Sequence, residues 1–578
     1  MDRRIPGVRS RDRIGLLSTN GVFRLLAFLV SAMLLVTAIR PDELVAAAAE
    51  SERLYVGNQA SLSASIPSSW QIDRTGEFDY LGSDGFIRSG IVLQQTLFDA
   101  CTVAAEQLHA GRSPLPAMWA GQEACTFDVG TAAGRGQVLV VPLPATISWF
   151  DAEFSFAFVM VDRAHFDRVA DTLSFDPARV SPEAFVASVI DLVEARAWWS
   201  DRVDWETQRP FLLKQAASLP DLASSGPILQ QLIGGLRIAG DNHSSLLPPD
   251  QAATYGEANG FGMEIQDGRV LAVYPDSPAA RAGIRERDRI IAVDGGPPAN
   301  TYGADPAVVW GPLVMLTVSR QGVSTDLSIP LVAATYTGYR PPRAALHGPL
   351  GYIELPGFGV PERAMDYVAV ANEQIGIIDR RGACGWIVDL RLDHGGDYRP
   401  MVSAVGSILG EGTFAGWLAP DGATRWVSYD DGMIRDNGYV VSDLLAANER
   451  YALATPMPLV AVLLGPGTTS SGEVTALAFL GRPDSKSFGT KTGGFTTANQ
   501  TFRLFDGSAL VLAVSAMVDR SGQTYLDGIV PDHVVAGGWS TFGTEDDPVI
   551  QAASKWLLAQ DACTGASGTP IASPAARP

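Results

Sequence analysis

Apolar positions along the chain change their spacing from one region to the next. Between residues 53 and 178, short apolar runs such as "SGIVLQQTLF", "GQVLVVPL" and "FSFAFVMVD" are separated by turn residues, and "AHFDRVADTL" follows with helical spacing. Runs of strand length next to a helical stretch predict a small α/β or α+β domain. This region contains no motif with a chemical signature, so the sequence leaves its role open.

Residues 180–250 have a different pattern. The stretch opens with "SPEAF", a capping serine followed by proline at the first helical position. Apolar residues then recur at helical spacing through "FVASVIDLVEARAWW" and "ILQQLIGGL", which predicts a helical bundle. The segment ends in "IAGDNHSSLLPP", so His243 is expected on a loop that follows the last helix.

The region from 345 to 558 alternates apolar strands with helical stretches. Its strands include "LGYIELPGFG", "CGWIVDLRL", "PLVAVLL" and "ALVLAVSAMV". This alternation predicts an α/β core built on a mostly parallel sheet. A chain of 578 residues is too long for one core, so we expect an α/β multidomain protein. The last residues, 561–578, are small, polar and proline-rich, which predicts a disordered tail.

The N-terminal segment, residues 1–48, has the pattern of a signal peptide. Several arginines precede the apolar run Leu25 to Ile39, and the alanines at 46–49 suit a cleavage site. The run is shorter than the roughly 20 apolar residues that a membrane span needs. The segment therefore predicts export to an extracellular, cell-surface or periplasmic location, with an N-terminal membrane anchor as the alternative.

The net charge of the chain limits the classes of macromolecule that it is expected to bind. The formal net charge of −20 excludes nucleic acid as the expected partner, because phosphate binding needs a basic surface.

Cys101 and Cys125 are close together in one predicted domain and are the expected disulfide. Cys384 falls in the predicted core and Cys563 in the predicted tail, without an expected partner. No cluster has metal-ligand spacing, so neither a metal nor another cofactor is expected.

A glycine-rich turn follows the apolar run "PLVAVLL". The sequence "GPGTTSSGEVTALAFL" places four hydroxyl residues between a buried strand and a helix. Ser470-x-x-Glu473 fits a capping box, in which a hydroxyl and a carboxylate satisfy free amides. The same strand–turn–helix arrangement positions the nucleophile in other hydrolases. From this stretch alone, both interpretations of Ser470 stay open.

Residues 256–334 resemble a PDZ domain. The resemblance rests on "NGFGMEIQDGRVLAVYPDSPAARAGIRERDRIIAVDG", with its Gly-aromatic-Gly loop, strand, short helix and strand. PDZ domains bind a peptide as an added strand and hold its C-terminal carboxylate on backbone amides. The resemblance implies that the amides of Phe261, Gly262 and Met263 form this substrate-binding nest. Past Thr301, only "DPAVVWGP" remains for the helix that should line the groove.

Three core motifs resemble those of the C-terminal processing peptidases, also called tail-specific proteases. "DLRLDHGG" is similar to their "DLRxNxGG" loop, "TTSSGE" to their nucleophile loop and "DGIVPDH" to their closing "GIxPD". The helical segment, PDZ-like domain and core also follow the order of that family. The resemblance implies a ClpP/crotonase-like core, Ser470 as the nucleophile, and polypeptide substrates that are recognised through their C-terminus.

A serine nucleophile needs a base. Many of these peptidases use a lysine in "TxGK", and Phe495 occupies that position in "FGTKTGGFTTANQ", with Lys491 displaced from it. The branch that resembles the tricorn core protease and the interphotoreceptor retinoid-binding protein lacks this lysine. Its proteolytic members take a histidine from the helical segment before the PDZ domain. This resemblance makes His243 the expected general base, with His394 as the competing histidine.

Acyl transfer also needs an oxyanion hole and a group that orients the base. We expect the hole to use the amide of Ser471 together with that of Gly395 or Gly396, since a Gly-Gly pair permits close backbone approach. Tricorn-like enzymes place the orienting carboxylate shortly before "GxxPD", which makes Asp527 the expected residue, with Asn242 and Glu473 as alternatives.

The sequence thus predicts an exported serine endopeptidase that works through an acyl-enzyme without a cofactor. Two alternatives remain at this point. One is a non-catalytic protein that binds an apolar ligand or a peptide, as the retinoid-binding relatives imply. The other is an esterase that uses the same site.

Overall fold

The computed structural model describes residues 51–74, 76–149, 152–253, 256–301, 305–323, 325–445 and 450–563. The predicted signal peptide at 1–48 and residues 564–578 of the predicted tail lie outside this part of the chain. Within the described ranges, no helix has both the length and the apolar composition needed to cross a bilayer.

The N-terminal domain is built mainly from antiparallel strands. Its elements are β1 (Glu52–Gly57), β2 (Leu62–Pro67), β3 (Gln71–Ile72), β4 (Tyr80–Leu81), β5 (Phe86–Val92), α1 (Leu97–Gln107), β6 (Leu115–Trp119), β7 (Gln122–Thr131), β8 (Gly134–Trp149), β9 (Ala152–Asp162) and α2 (Phe166–Thr172). Seven strands form one sheet in the order β3-β4-β5-β9-β8-β7-β6, while β1 pairs with β2. Cys101 in α1 and Cys125 in β7, the pair that the sequence predicts, form a disulfide.

Three helices form the second segment. They are α3 (Pro182–Arg196), α4 (Trp205–Ala216) and α5 (Gly226–Ala239), followed by the short strand β10 (Ser245–Leu247) and the short helix α6 (Pro249–Ala253). Ser181 caps α3 through its side chain, and Gly240 ends α5 in a left-handed conformation. The apolar faces of the helices share one core with Leu510 and Leu512 of the C-terminal region. The helical segment is therefore packed against the domain that follows the PDZ-like region.

The third domain is a small, mostly antiparallel β domain. It comprises β11 (Ala258–Gly260), β12 (Met263–Gln266), β13 (Arg269–Val273), α7 (Pro278–Arg281), β14 (Arg289–Val293), α8 (Pro306–Trp310), β15 (Leu313–Ser319), β16 (Leu327–Val332) and β17 (Ala334–Tyr336). Five strands form a sheet in the order β12-β13-β14-β15-β16, so β12 is an edge strand. The helix expected along the groove is short, as the sequence "DPAVVWGP" indicates.

The C-terminal domain contains the remaining elements. They are β18 (Arg343–His347), β19 (Leu350–Glu354), α9 (Ala364–Asp379), β20 (Trp386–Asp389), α10 (Tyr398–Ala404), α11 (Gly406–Leu409), β21 (Gly412–Leu418), β22 (Thr424–Asp430), β23 (Met433–Asp436), β24 (Tyr439–Asp443), β25 (Val460–Leu464), α12 (Ser471–Phe479), β26 (Ser485–Gly489), β27 (Thr497–Arg503), β28 (Ala509–Asp519), β29 (His533–Val534) and α13 (Pro548–Leu558).

A six-stranded sheet forms the centre of this domain. Its order is β18-β19-β20-β25-β26-β29, and all neighbours are parallel except β18 and β19. Every residue of β25 and of α12 is buried. Such complete burial explains why β25 is a continuous apolar run and why α12 has no polar face after Glu473.

A second sheet joins the helical segment to this domain. β10 pairs with the first part of β28, and β21 pairs with the last part of the same strand. β27 pairs with β28 on its other side. The pairing of β10 fixes the position of the loop that precedes it, which contains His243.

A second disulfide joins Cys384, just before β20, to Cys563 after α13. Cys563 lies in the segment predicted to be a disordered tail, and that prediction is wrong for this residue. The bond ties the end of the described chain to the buried sheet, so the ordered domain extends to residue 563. All four cysteines of the chain are therefore paired.

Candidate active site

Ser470 occupies the sharp turn between β25 and α12. Its backbone has φ 53° and ψ −119°, a conformation that non-glycine residues rarely adopt. Strained backbone of this kind is concentrated at functional sites, and a nucleophile elbow has the same strand–turn–helix form. The serine side chain lies half-buried at the start of the helix.

Neighbouring threonines fasten the turn to the loop that follows β20. The hydroxyl of Thr468 accepts a hydrogen bond from the amide of Gly465 at 3.1 Å and donates to the carbonyl oxygen of Leu390 at 2.8 Å. The amide of Thr469 donates to the carbonyl oxygen of Asp393 at 3.0 Å. Both loops approach so closely that a Cβ on Gly472 would lie 2.3 Å from that oxygen, so only glycine fits there.

Glu473 caps the helix from within. One oxygen of its carboxylate accepts the Ser470 amide at 3.0 Å, and the Glu473 amide donates to the Ser470 carbonyl oxygen at 2.8 Å. The carboxylate is fully buried, and burial raises its pKa although hydrogen bonds from Thr492 and nearby amides oppose the shift. The helix start is thus capped by the glutamate, which is compatible with a nucleophilic role for the serine hydroxyl.

The same carboxylate holds the loop before β27. Its other oxygen accepts the Thr492 hydroxyl at 2.5 Å and the Gly494 amide at 2.9 Å. It also interacts with the backbone amide of Phe495. Glu473 therefore joins the Ser470 turn to the loop formed by residues 492–497, which we call the bridging loop.

His243 lies against this bridging loop. Its Nδ1 is 3.0 Å from the Thr497 hydroxyl oxygen, and its ring meets that of Phe495 edge-on with centroids 5.3 Å apart. The neighbouring Asn242 donates from its side chain to the Gly494 carbonyl oxygen at 2.9 Å. The His243 amide donates to the Asp241 carboxylate at 2.8 Å, which fixes the turn before β10. Phe495, at the position of the family lysine, is thus a packing partner of the histidine.

Burial lowers the pKa of His243, and the opposing effects of Thr497 and Asp241 do not cancel the shift. The imidazole is therefore neutral at neutral pH. A neutral imidazole whose Nδ1 donates to Thr497 has a free lone pair on Nε2, which is the state that a general base requires.

Asp527 does not orient this histidine in the structure. Its side chain is 99% exposed and lies 2.6 Å from Lys491 Nζ, with which it forms an ion pair. Among the contacts of the described ranges, the group at His243 Nδ1 is the Thr497 hydroxyl. The expected carboxylate partner is thus replaced by a neutral hydroxyl, and Lys491 is a charged, half-exposed side chain rather than a buried base.

The two other orienting residues considered from the sequence also have different partners. Asn242 bonds the Gly494 carbonyl oxygen, and the Glu473 carboxylate bonds the Ser470 turn and the bridging loop. Both residues position the elements around the histidine without contacting its Nδ1.

Two glycines lie beside Ser470. Gly395 has φ +93°, and a Cβ added to it would lie 2.8 Å from the Ser470 Cβ. Its amide donates to the Asp393 carboxylate at 3.0 Å, so Gly395 is not available as an oxyanion donor. The carbonyl oxygen of Gly396 accepts the Ser471 hydroxyl at 2.5 Å. Of the two glycines that the sequence offers, Gly396 is the one that fits the role.

The amides of Gly396 and Ser471 form what we call the oxyanion pair. In the residues that the structure covers, neither amide is engaged in a hydrogen bond. Gly396 is exposed to solvent, and Ser471 is the first residue of α12. Free amides at a helix start next to a strained serine are suited to hold a developing negative charge.

Asp393 is buried on the loop that contains Gly396, and its carboxylate binds the amide of the neighbouring Gly395. It has no exposed surface, and its second carboxylate oxygen has no hydrogen-bond partner in the described chain. Burial raises the pKa of Asp393 to about 7, against the opposing effects of the Gly395 amide and His394. The motif of the resembling family has asparagine at this position, so a buried carboxyl group distinguishes this chain.

His394, the competing histidine, is held by the PDZ-like domain. Its Nε2 lies 3.0 Å from the Glu264 carboxylate, and the charge of Glu264 outweighs burial and raises the pKa of His394. Burial would raise the pKa of Glu264, but His394 and the buried Arg340 lower it to about 2. Arg340 also bonds Glu354 of the core at 2.5 Å. This ion-pair group joins the two domains and leaves His394 unsuited to act as a base.

A cleft of about 830 Å³ runs between the β domain and the core. One wall consists of β12. The other comes from the loop after β20, the Ser470 turn and the bridging loop, and its residues include Leu392, His394, Thr469, Gly493 and Phe495, while Asp527 also lines the cleft. The edge strand and the residues beside the strained serine thus line one continuous space.

The expected carboxylate nest lies at one end of β12. The amides of Phe261 and Gly262, which we call the PDZ nest, both donate at 3.0 Å to the carboxylate of Asp305. Met263 begins β12 and its side chain is buried. Of the three amides predicted to bind a substrate carboxylate, those of Phe261 and Gly262 are thus occupied by the chain itself.

Comparisons with known proteins agree with these features. Residues 349–535 match the profile of Peptidase family S41, and residues 269–301 match that of the PDZ domain. The nisin-resistance protein of Lactococcus lactis subsp. lactis is 34% identical over 190 residues, which cover 33% of this chain and 57% of that protein. The carboxy-terminal-processing protease of Bartonella bacilliformis is 24% identical over 335 residues, covering 56% of this chain and 72% of the protease.

Solved structures with a similar outline include a lipoprotein from Streptococcus agalactiae. It has a TM-score of 0.42 and 20% sequence identity, and the match covers 65% of this chain and 96% of that one. The chain thus spans little more than half the length of the nisin-resistance protein and almost the whole of the lipoprotein structure.

Three residues around the site were not singled out from the sequence. Thr497 follows Phe495 closely in "GGFTTANQ", but nothing local distinguishes it from Thr496. Asp393 stands where the resembling motif has asparagine, and that departure was a usable signal. Asp305 precedes proline in "DPAVVW", a helix-start signal that gives no indication of its contact with the nest.

Proposed function

We propose that this chain, whose residues 349–535 match Peptidase family S41 and whose residues 269–301 match the PDZ domain, is an exported serine endopeptidase with Ser470 as nucleophile and His243 as general base. The family assignment and the α/β multidomain fold predicted from the motifs are confirmed. The S41 carboxy-terminal-processing proteases are serine peptidases, and polypeptides are the substrates that the family implies. What we propose is the catalytic roles of Ser470 and His243 and the exported location of the protein.

The bridging loop is the observation that supports these roles most directly. It is bonded to the Ser470 turn through Glu473 and contacts His243 through Phe495 and Thr497. Serine and histidine come from different domains and different sheets, yet both are fastened to one short loop. A binding protein would have no need for this arrangement, nor for a strained serine at a helix start. The geometry therefore favours hydrolysis over a non-catalytic role.

In the proposed reaction, Nε2 of neutral His243 takes the proton of the Ser470 hydroxyl as its oxygen attacks the carbonyl carbon of the scissile peptide bond. The Thr497 hydroxyl oxygen accepts a hydrogen bond from Nδ1–H and keeps the ring in the required tautomer. The amides of Gly396 and Ser471 hold the negative oxygen of the tetrahedral intermediate.

Collapse of that intermediate breaks the C–N bond, and the imidazolium gives its proton to the leaving amine. Water, activated by the same histidine, then attacks the acyl-enzyme and releases the second product. The group at Nδ1 is a neutral hydroxyl, and the charge of Asp241 favours the imidazolium less than burial disfavours it, which agrees with the lowered pKa of His243.

Two disulfides support the proposed location. Cys101 pairs with Cys125, and Cys384 pairs with Cys563. Such bonds form and persist in oxidising compartments and are rare in the cytosol. They agree with the signal-peptide pattern at the N-terminus.

Labelling with a fluorophosphonate tests the nucleophile. The intact protein should be modified at Ser470, as mapped by mass spectrometry of its peptides. The variant Ser470→Ala should be unlabelled, and its free energy of unfolding should fall by no more than the cost of a lost helix cap, about 0.5–2 kcal/mol. Modification of Ser471 in the folded parent, or the absence of any modified serine, would remove Ser470 from the mechanism.

A further inference from the structure

Asp305 holds both amides of the PDZ nest at once. One carboxylate oxygen accepts the Phe261 amide at 3.0 Å and the Ala307 amide at 2.8 Å, and the other accepts the Gly262 amide at 3.0 Å. The residue is also the N-cap of α8, so its backbone position is fixed by the helix. A carboxylate that spans two successive amides before an edge strand has the position expected of a bound peptide terminus.

The fit of this carboxylate to the nest is close. A Cβ added to Gly260 would lie 2.3 Å from the Asp305 Cγ, and Gly262 has φ +69° with no room for a side chain against Ser277. Burial and then the charge of Asp305 raise the pKa of the nearby Tyr336 hydroxyl. A second carboxylate at this position would find the Phe261 and Gly262 amides taken and would face a charge of the same sign.

The edge of β12 remains available beside the filled nest. In the sheet that the structure describes, β13 is the only strand neighbour of β12. The strand lines the cleft from Met263 to Gln266, opposite Thr469 of the Ser470 turn. Free amides and carbonyl groups of an edge strand can pair with an extended chain at any point along that chain, whether or not it ends there.

We propose that Asp305 is an internal ligand of the PDZ nest, so that the PDZ domain binds an internal extended segment of a polypeptide along β12 and does not select a free C-terminal carboxylate. The consequence for cleavage rests on the proposed function, because it assumes that the cleft delivers the bound segment to Ser470. Peptide binding itself does not depend on catalysis and can be measured separately.

The variant Asp305→Ser vacates the nest while keeping a helix cap. Its hydroxyl can still accept the Ala307 amide, as serine does at many helix starts, but one short side chain cannot span the Phe261 and Gly262 amides. Asp305→Asn is the milder alternative, since its amide oxygen keeps Phe261 and Ala307 and only the Gly262 amide loses its acceptor. Glu257→Ser removes an exposed carboxylate from the same region and serves as the matched control.

The binding experiment uses the full chain with Ser470→Ala, so that the probe is not consumed. The probe is a labelled peptide that ends in three apolar residues, prepared once as the free acid and once as the C-terminal amide. Fluorescence anisotropy gives the Kd of each form. We expect equal affinities for the two forms in the parent and in Glu257→Ser, and at least about a tenfold preference for the acid in Asp305→Ser.

A tenfold preference for the acid in the parent would overturn the proposal, and so would equal affinities for acid and amide in Asp305→Ser. If Asp305→Ser does not fold, Asp305→Asn decides, with an expected acid preference of at least about threefold. In the catalytically intact chain, an unfolded protein with an amidated C-terminus should be cleaved as fast as the free acid. Failure to cleave either form would count against the proposed function, while the anisotropy data would still decide the role of Asp305.

Discussion

Two pairs of backbone amides lie next to residues that line the cleft, and they differ in what occupies them. The PDZ nest binds the carboxylate of Asp305, whereas the oxyanion pair, Gly396 and Ser471, has no hydrogen-bond partner in the described chain. Each pair lies next to a glycine with positive φ, and each lies where a loop leads into a regular element. In the described chain, a pair of backbone amides is therefore bonded to a carboxylate at one site and has no acceptor at the other.

The difference indicates distinct roles for the two amide pairs, one in the reaction and the other in substrate recognition. The open pair can accept a charge that exists only during reaction, because no group of the protein competes for it. The filled pair cannot accept a substrate terminus without displacing Asp305. From domain order and loop sequences alone, both amide pairs would be assigned to substrate binding. They are distinguished by the contacts of Asp305 with the PDZ nest and of Asp393 with Gly395, beside the oxyanion pair.

Among substitutions outside the proposed nucleophile and base, the largest effect is expected from a side chain that displaces the Gly396 amide. In Gly396→Ala, the new Cβ would lie 1.9 Å from the Phe358 carbonyl oxygen, so the loop has to move and the Gly396 amide is lost from the site. We expect kcat for an unfolded protein substrate to fall about 10²–10³-fold, the usual cost of one oxyanion donor. Gly422→Ala is the matched control, since that glycine also has positive φ but open space around it. Parent activity in a folded Gly396→Ala would show that this amide is not a donor.

A smaller loss is expected at the histidine. Thr497→Val keeps the shape of the side chain and removes the acceptor for Nδ1, so the ring loses its fixed tautomer. We expect kcat to fall about 10–100-fold with KM unchanged. Because Thr497 raises the pKa of His243, the acid limb of the rate should also move to lower pH. Thr496→Val, which removes a hydroxyl bonded to Tyr525 instead, should leave the pH profile in place. An unchanged profile in Thr497→Val would exclude Thr497 as the orienting group.

The third prediction concerns stability rather than rate. The pKa of Asp393 is about 7 in the folded protein and 3.8 in the unfolded reference, so the folded state binds the extra proton between these values. Stability should therefore fall as pH rises from about 4 to 7. Asp393→Asn cannot ionise and should be more stable than the parent at pH 8, by up to about 4 kcal/mol, and nearly equal to it at pH 4.

Urea unfolding with intact disulfides at pH 4 and pH 8 measures this difference. The variant keeps an oxygen for the Gly395 amide, so activity should stay close to that of the parent. An equal effect of the substitution at both pH values would show that Asp393 does not bind a proton in the folded protein.

Local signals in the sequence predict much of the core. The continuous apolar run before "GPGTTSSGE" identifies β25, and the capping pattern at Ser470 and Glu473 identifies the start of α12. Both features depend on residues only a few positions apart. The resemblance to the C-terminal processing peptidases, carried by short motifs, is confirmed, and so is the PDZ domain.

Contacts between distant segments could not be predicted in the same way. His243 and Thr497 are 254 residues apart and meet because β10 pairs with β28, a register that no local pattern specifies. The disulfide between Cys384 and Cys563 spans 179 residues and depends on the packing of α13 against the sheet that contains β20. Asp527 was chosen from its distance to "GIVPD", but its side chain points to solvent and to Lys491. Local sequence patterns thus predict the helices and strands, whereas the pairing and packing of distant elements determine which side chains contact each other.

The rate at which a fluorophosphonate modifies Ser470, measured from pH 5 to 9, tests the central claim most directly, because it needs no knowledge of the substrate. With neutral His243 as base, the rate in the parent should rise with pH through an apparent pKa below the reference of about 6.5, as burial predicts. His243→Gln should react at least about 10³-fold more slowly and lack the acid limb, while Lys491→Met keeps the parent profile. Modification of His243→Gln at the parent rate with the same profile would contradict the account, and a comparable loss in Lys491→Met would assign the base to the lysine.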